Sequence, residues 1–311
     1  MTQKHPADLS KVITPRLLHA LYDLHFRWRK DQPLDAKVLL STYLAGGNRS
    51  IDQLYDLCFE SALRPISEIG LDDMPDLTQY LCPPMQYDFP IQSLGLLLLL
   101  DQAPRFLCQG RDARWTSSYF DVIALRTITK LLSLPWSLRP DNLERWTSLG
   151  YNIEHATLRR LVLCFSISHS ENWADHMLQH GLIEQIRRGV EEYYQVSDSF
   201  RSLDRSDAGN PHLFPRLITA VGSGEAKIKT VADFYFYFFR VIRVHEPIIR
   251  VYGRFPYRNR AVGRDDTDMD REYMKATDGM FALDEKTAKY IRDDVEKGRW
   301  TPLQGRGEEK I

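Results

Sequence analysis

Six aromatic residues stand in an unbroken row, Phe234, Tyr235, Phe236, Tyr237, Phe238 and Phe239. They lie inside a stretch over residues 231–252 that is apolar on most of its sides. Towards its end Val241, Ile242, His245, Ile248, Ile249 and Tyr252 recur at helical spacing, so the whole stretch reads as one helix. A helix that is apolar nearly all round has to be enclosed by the rest of the chain. Other segments repeat the same period and can enclose it: residues 15–28, 36–44, a third run to about 62, 119–132, 156–180 and 182–194. A further helix carries Leu94, Leu97 and Leu98 and is expected to close at Pro104. No segment alternates with the two-residue period of a strand. The expected fold is therefore all-α.

Composition limits the function classes. At 311 residues, 43% hydrophobic and 27% charged, the chain has the balance of an ordinary soluble globular protein. A net charge of −1 gives it no field that would gather nucleic acid or an anionic membrane. Cys58, Cys82, Cys108 and Cys164 are scattered without CxxC spacing, which favours reduced thiols in a cytosolic compartment. The opening residues carry no apolar leader, and the apolar run at 94–100 is too short to cross a bilayer. A cytoplasmic location is expected. Residues 196–229 mix Ser, Asp, Gly, Pro and Asn and predict a long loop with a short helix near 213–221. Residues 1–90 are expected to form an N-terminal helical extension on a core at 91–285. Residues 286–311 are expected as a polar tail, frayed after Lys297.

The densest chemistry lies in residues 245–267, HEPIIRVYGRFPYRNRAVGRDDT. Gly253 is placed to stop the helix and Pro256 restricts Phe255 to extended backbone. Arg254, Arg258, Asn259, Arg260 and Arg264 follow with Phe255 and Tyr257 among them. Thr267 and Asp270 have the spacing of a capping box. Upstream stand Leu100-Asp101-Gln102-Ala103-Pro104-Arg105 and His169-Ser170-Glu171. In composition and order these boxes resemble those of domain of unknown function 924, a family placed in the TPR-like all-helical superfamily. The resemblance covers about residues 91–275. It implies a TPR-like helical array, here with the N-terminal extension, and it implies no chemistry. Ala103, Phe106, Tyr257 and Gln109-Gly110 depart from the family pattern, and the departures suggest a site enlarged or dried for a bulkier apolar ligand.

Two readings of the polar boxes stand side by side. In one, Asp101 and Glu171 satisfy Arg105, Arg254 or Arg258 in a buried ion-pair lattice. In the other the boxes floor a pocket in which His169, His245 and Tyr257 are catalytic, while Asp101, Gln102, Arg105, Glu171, Arg254, Arg258 and Asn259 bind substrate. Asp72-Asp73-Met74-Pro75-Asp76 has the lettering of a magnesium-binding DDxxD helix, but Gly70 and Pro75 make it an acidic turn. His176 and His180 have zinc spacing without a third ligand, and His180 beside Gly181 reads as a helix C-terminal cation. No metal and no cofactor is expected, since no P-loop, GxGxxG or GxSxG is present. What remains is a cofactor-independent enzyme on a bulky, mostly apolar small molecule, of cyclase, isomerase or dehydratase type. The alternative is a non-catalytic scaffold that takes a protein partner in a helical groove.

Overall fold

The computed structural model describes residues 8–43, 50–202, 207, 209–223 and 227–306, and among them every regular element is helical. Helix α1 (Pro15–His25) starts where Thr14 accepts the Leu17 amide and Pro15 takes the first turn. It is followed by α2 (Ala36–Tyr43) and α3 (Ile51–Cys58). The helix α4 (Phe89–Leu97) is buried on every side. It lies so close to α1 that a Cβ on Gly95 would come 2.3 Å from the Leu18 carbonyl oxygen. Only glycine admits that approach.

Pro104 does not end this helix, as the sequence suggested. Residues Leu98–Gln102 widen into a π turn in which the Ala103 amide reaches back to the Leu98 carbonyl, and α5 (Ala103–Leu107) continues. The wider turn takes up the hydrogen bond and the carbonyl clash that a proline imposes on a regular helix. Phe59–Leu63 makes the same turn ahead of Pro65. A third π turn, Thr116–Phe120, leads into α6 (Asp121–Leu132). Asp101, Gln102 and Asp121 therefore stand in or directly after widened turns.

Two expected long helices are broken. The run 156–180 divides into α7 (Ile153–Leu163), a short turn Phe165–Ser168 and, after a four-residue gap, α8 (Trp173–Tyr194). Asn172 caps α8 by accepting the Ala174 amide, which is the local reason for the break. Helix α8 passes through Gly181 without interruption, so His180 is not at a helix end. After α9 (Leu213–Gly222) comes the aromatic helix α10 (Val231–Arg243), opened by a Thr230–Asp233 capping box. It stops because Pro247 cannot donate to the Arg243 carbonyl, and α11 (Glu246–Tyr252) starts anew. Gly253 closes α11 in the left-handed region at φ 66°.

The chain then makes a 3₁₀ turn at Pro256–Arg258, α12 (Asn259–Val262), α13 (Asp268–Ala276) and α14 (Glu285–Glu296). Residues 298–306, expected to fray, are anchored instead. Trp115 donates to Thr301 O at 3.0 Å, and Arg64 donates to the carbonyls of Leu303 and Gln304. Asp112 accepts the Gln304 and Gly305 amides. These anchors act on backbone groups, which a polar composition does not reveal. The main core runs through α1, α4, α6, α7 and α10, and a smaller one joins Ile248, Ile249, Phe255, Tyr257 and Tyr273. His169 and His245 sit where the two cores meet.

Candidate functional site

The break between α7 and α8 puts the His169–Glu171 box in a turn, and each of its residues has a distinct task. Ser170 ties the turn, accepting the Asn172 amide and donating to Asp175, while buried His176 donates from Nε2 to the Ser170 carbonyl at 2.8 Å. Glu171 receives the Phe255 amide at 2.9 Å and Arg264 through both Nη atoms. His169 turns to the π turn and meets Asp101, Nδ1 to Oδ1, at 2.7 Å. A carboxylate only accepts, so Nδ1 carries the proton and Nε2 keeps its lone pair. Nε2 has no hydrogen-bond partner among the described residues.

Asp101 is 1% exposed and held from three sides. Gln102 donates to its Oδ2 at 2.6 Å and Arg105 to its Oδ1 at 3.2 Å. Burial opposes its charge, but His169 and Arg105 outweigh that and hold its pKa below the usual carboxylate range. Arg105 also bonds Asp121, and Arg258 lies 3.4 Å from the other oxygen of Asp121. Arg258 in turn donates to the His169 carbonyl at 2.7 Å. Burial first, and then the Arg105 charge, push the His169 pKa below its ordinary value, so the ring is neutral near pH 7.

His245 stands between α10 and α11 and is 6% exposed. Its Nδ1 faces the carbonyls of Val241 and Ile242 at 3.1 and 3.0 Å, so it too donates from Nδ1 and keeps the lone pair on Nε2. Burial, with His169 next, drives its pKa far down. The rings of His169 and His245 are 6.4 Å apart and nearly perpendicular. Phe214 packs on His245 at 4.1 Å, and Tyr257 and Phe281 continue the aromatic wall. The Tyr257 hydroxyl has no hydrogen-bond partner among the described residues, and burial raises its pKa, which keeps it a phenol.

The three boxes thus converge, from as far as 68 and 89 residues away in sequence. Eight of the ten expected residues meet there: Asp101, Gln102, Arg105, His169, Glu171, His245, Tyr257 and Arg258. Arg254 and Asn259 do not face the histidines. Arg254 bonds Asp270, the capping residue of α13, and Asn259 donates to Asp266 at 2.8 Å. Both brace the loop against the segment that leads into α13. Glu171 pairs with Arg264, where Arg254 or Arg258 was expected. Asp121 was missed, because it belongs to none of the three boxes and stands in the otherwise apolar run 119–132. His180 lies 3.8 Å from Glu246, and Nε2 of His176 is taken up by the turn. The Asp72–Asp76 string is a turn, with Asp76 capping Leu77–Tyr80.

Asp101, Asp121 and His169 bring three ligand-type atoms within 4.8 Å of one another. This donor set does not fit a cation. Arg105 already bonds both carboxylates, and the nitrogen that His169 turns to them is protonated. Close by, Ala103 and Phe106 line a small apolar cavity with Leu21, Leu98 and Gln102. At about 30 Å³ it has room for about two water molecules.

No curated protein and no solved structure matches this chain. A family model described as "Bacterial protein of unknown function (DUF924)" matches residues 43–278. That span reaches into the N-terminal helices, beyond the boxes that first suggested it, and on it the chain belongs to this family.

Proposed function

We propose that this chain is a cofactor-independent acid–base enzyme acting on a bulky, mostly apolar small molecule, in a reaction of isomerase, cyclase or dehydratase type. One observation carries the reading: the 2.7 Å Asp101–His169 contact leaves a neutral imidazole with an unpartnered Nε2 beside a second such imidazole and an aromatic wall. A carboxylate behind a histidine fixes its tautomer and stabilises the imidazolium formed when Nε2 takes a proton. His169 is the base, Asp101 its positioning residue and Gln102 the brace on Asp101. Tyr257 remains protonated and is the donor to a developing negative charge. His245 holds the second lone pair. The apolar body of the substrate would lie against Phe214 and Phe281.

A partner-binding reading has one observation in its favour. An open groove of about 780 Å³ runs past Phe106, Arg111, Lys286, Tyr290 and Arg306, away from the histidines. It has the size for a peptide, but none of the residues that sequence and structure bring together line it.

The enzyme reading is tested by exposing a small-molecule extract to the purified chain and to His169→Asn, with no cofactor added, and comparing mass spectra. A compound consumed by the first and spared by the second is the expected result. Identical profiles from the two proteins would sink it.

A further inference from the structure

The arginine-rich loop invites the reading that the ligand is an anion. The charges argue otherwise. Arg105 is matched by Asp101 and Asp121, Arg258 by Asp121, Arg264 by Glu171, Arg254 by Asp270 and Arg260 by Glu285. Each of these guanidinium groups already faces a carboxylate, so none carries surplus charge for a phosphate or a carboxylate ligand. A cationic ligand is no better served, since both site carboxylates face arginines.

The unmet hydrogen-bonding capacity is of another kind. Nε2 of His169 and Nε2 of His245 have lone pairs and no partner among the described residues. Oδ2 of Asp121 and Nδ1 of His176 are buried acceptors without a hydrogen bond. On the donor side stand the Tyr257 hydroxyl and the buried Nε–H of Arg105, whose charge is already matched. A buried polar group left without a partner is costly, and such groups call for an explanation. A hydroxyl answers both needs, because it donates one hydrogen bond and accepts two.

One more feature faces this place. Phe281 adopts φ 68°, in the left-handed region that bulky residues avoid, and Asp278 and Gly279 beside it are also at positive φ. The residue is nevertheless 49% exposed, and its ring lies 5.2 Å from Phe214 and 5.7 Å from Tyr257. The strained backbone thus extends the aromatic wall with a ring that keeps about half of its surface open to solvent.

We infer that the site takes a neutral, hydroxyl-bearing ligand, its hydroxyl donating to His169 and its ring system resting on the wall of Phe214, Tyr257 and Phe281. This rests on the acid–base reading above and adds the class of substrate. In the chemical step the ligand O–H bond breaks and the proton passes to Nε2 of His169. The electron pair stays on the ligand oxygen, Asp101 balances the imidazolium, and Tyr257 donates to the oxygen.

The test uses the full chain and three probes with one ring system: 2-naphthol, 2-naphthoate and 2-naphthylmethylammonium. Thermal shift and titration calorimetry near neutral pH are expected to rank naphthol first, by at least about tenfold in affinity over either charged probe. In His169→Phe that preference should vanish. In Phe281→Ala, which leaves the Asp101–His169 contact untouched, naphthol should bind about three- to tenfold more weakly with the ranking kept. Naphthoate or the ammonium binding as well as naphthol, or naphthol failing to bind the unmodified chain, would overturn the inference. The unmodified chain decides the ranking, so a misfolded variant cannot obscure it. A naphthol preference together with unchanged metabolite profiles would retire the enzyme reading alone.

Discussion

Arg159 and Arg105 both withdraw a guanidinium from water, and their surroundings differ in kind. Arg159, 1% exposed, forms no ion pair with a carboxylate among the described residues. It bonds the Tyr22 hydroxyl and the His155 carbonyl and is caged by Tyr151 at 3.9 Å, Phe26 at 4.6 Å and Tyr22 at 5.3 Å. Every polar neighbour there is used. Tyr22 bonds Tyr151 at 2.8 Å, and His155 meets Gln32 O with Nε2 and Arg159 with Nδ1. Around Arg105 the charges are matched by carboxylates while the histidines keep one nitrogen each in reserve. Full use of hydrogen-bonding capacity marks a structural cluster, and a reserve marks a place prepared for something else.

The comparison predicts unequal costs for one substitution. Arg105→Met takes from Asp101 and Asp121 the cation they share, leaving only His169, Gln102 and the more distant Arg258 beside them, and should lower stability by about 3 kcal/mol. Arg159→Met strands no carboxylate and keeps much of the packing, so its cost should stay near about 1–2 kcal/mol. Urea unfolding of the two variants measures the difference. Equal losses would mean that the carboxylate lattice is no more strained by a missing partner than the aromatic cage.

The two clusters were unequally legible in the sequence. Asp101, His169 and Arg258 announced themselves as members of three polar boxes between apolar runs, and the Thr267–Asp270 capping box and the Gly253 stop stand where their spacing put them. The π turns did not announce themselves, because one extra residue in a turn changes the period too briefly to register. The break at His169 was hidden for a similar reason: an asparagine cap counts for little against the apolar residues on either side. Asp121 was passed over because its helix otherwise reads as plain core. The Arg159 cage draws on α1, α7 and the 146–151 segment, so nothing local in the sequence pointed to it.

Histidine exchange sharpens the contrast further. His155→Asn loses contacts at both nitrogens in a closed cluster and should cost about 1–3 kcal/mol. In His169→Asn the shorter amide can still donate towards Asp101, so melting should change little while ligand binding and turnover are lost. Melting curves beside a ligand assay would show it. A His169 variant that unfolds as readily as the His155 variant would make both histidines structural.

Acid should separate two groups of titrating residues. His155, His169, His176 and His245 have pKa values lowered in the fold, burial being the first cause in each. Below about pH 6.5 the unfolded chain therefore takes up protons that the folded chain refuses, and stability present above that pH declines as pH falls. Asp101, Glu171 and Asp270 are also lowered, so a second decline begins below about pH 4. Unfolding free energy should be flat from about pH 8 to 7 and then fall by at most about 1.4 kcal/mol per pH unit for each histidine. Replacing His245 with Gln should flatten part of the upper decline. A stability that rises on acidification through pH 6 would contradict the neutral state of these rings.

The smallest expected effect is that of divalent cations. Asp101, Asp121 and His169 would look like a metal site if ligand atoms alone were counted, since three of them fall within 4.8 Å of one another. A cation bound there would have to displace Arg105 from both carboxylates and strip the proton from His169 Nδ1, exchanging two formed ion pairs for its own ligation. Zinc, magnesium and EDTA should thus each leave the melting temperature of the unmodified chain within about 1 °C, a change corresponding to about 0.7 kcal/mol in a chain of this size. Arg105→Ala reverses the balance, because it removes the competing charge and leaves two carboxylates without their main counter-ion. In that variant zinc should restore part of the lost stability, and EDTA should remove the gain. A zinc-dependent rise in the unmodified chain would show that Arg105 yields its place readily. The contrast between a filled lattice and a reserved histidine would then have to be redrawn with the metal in it.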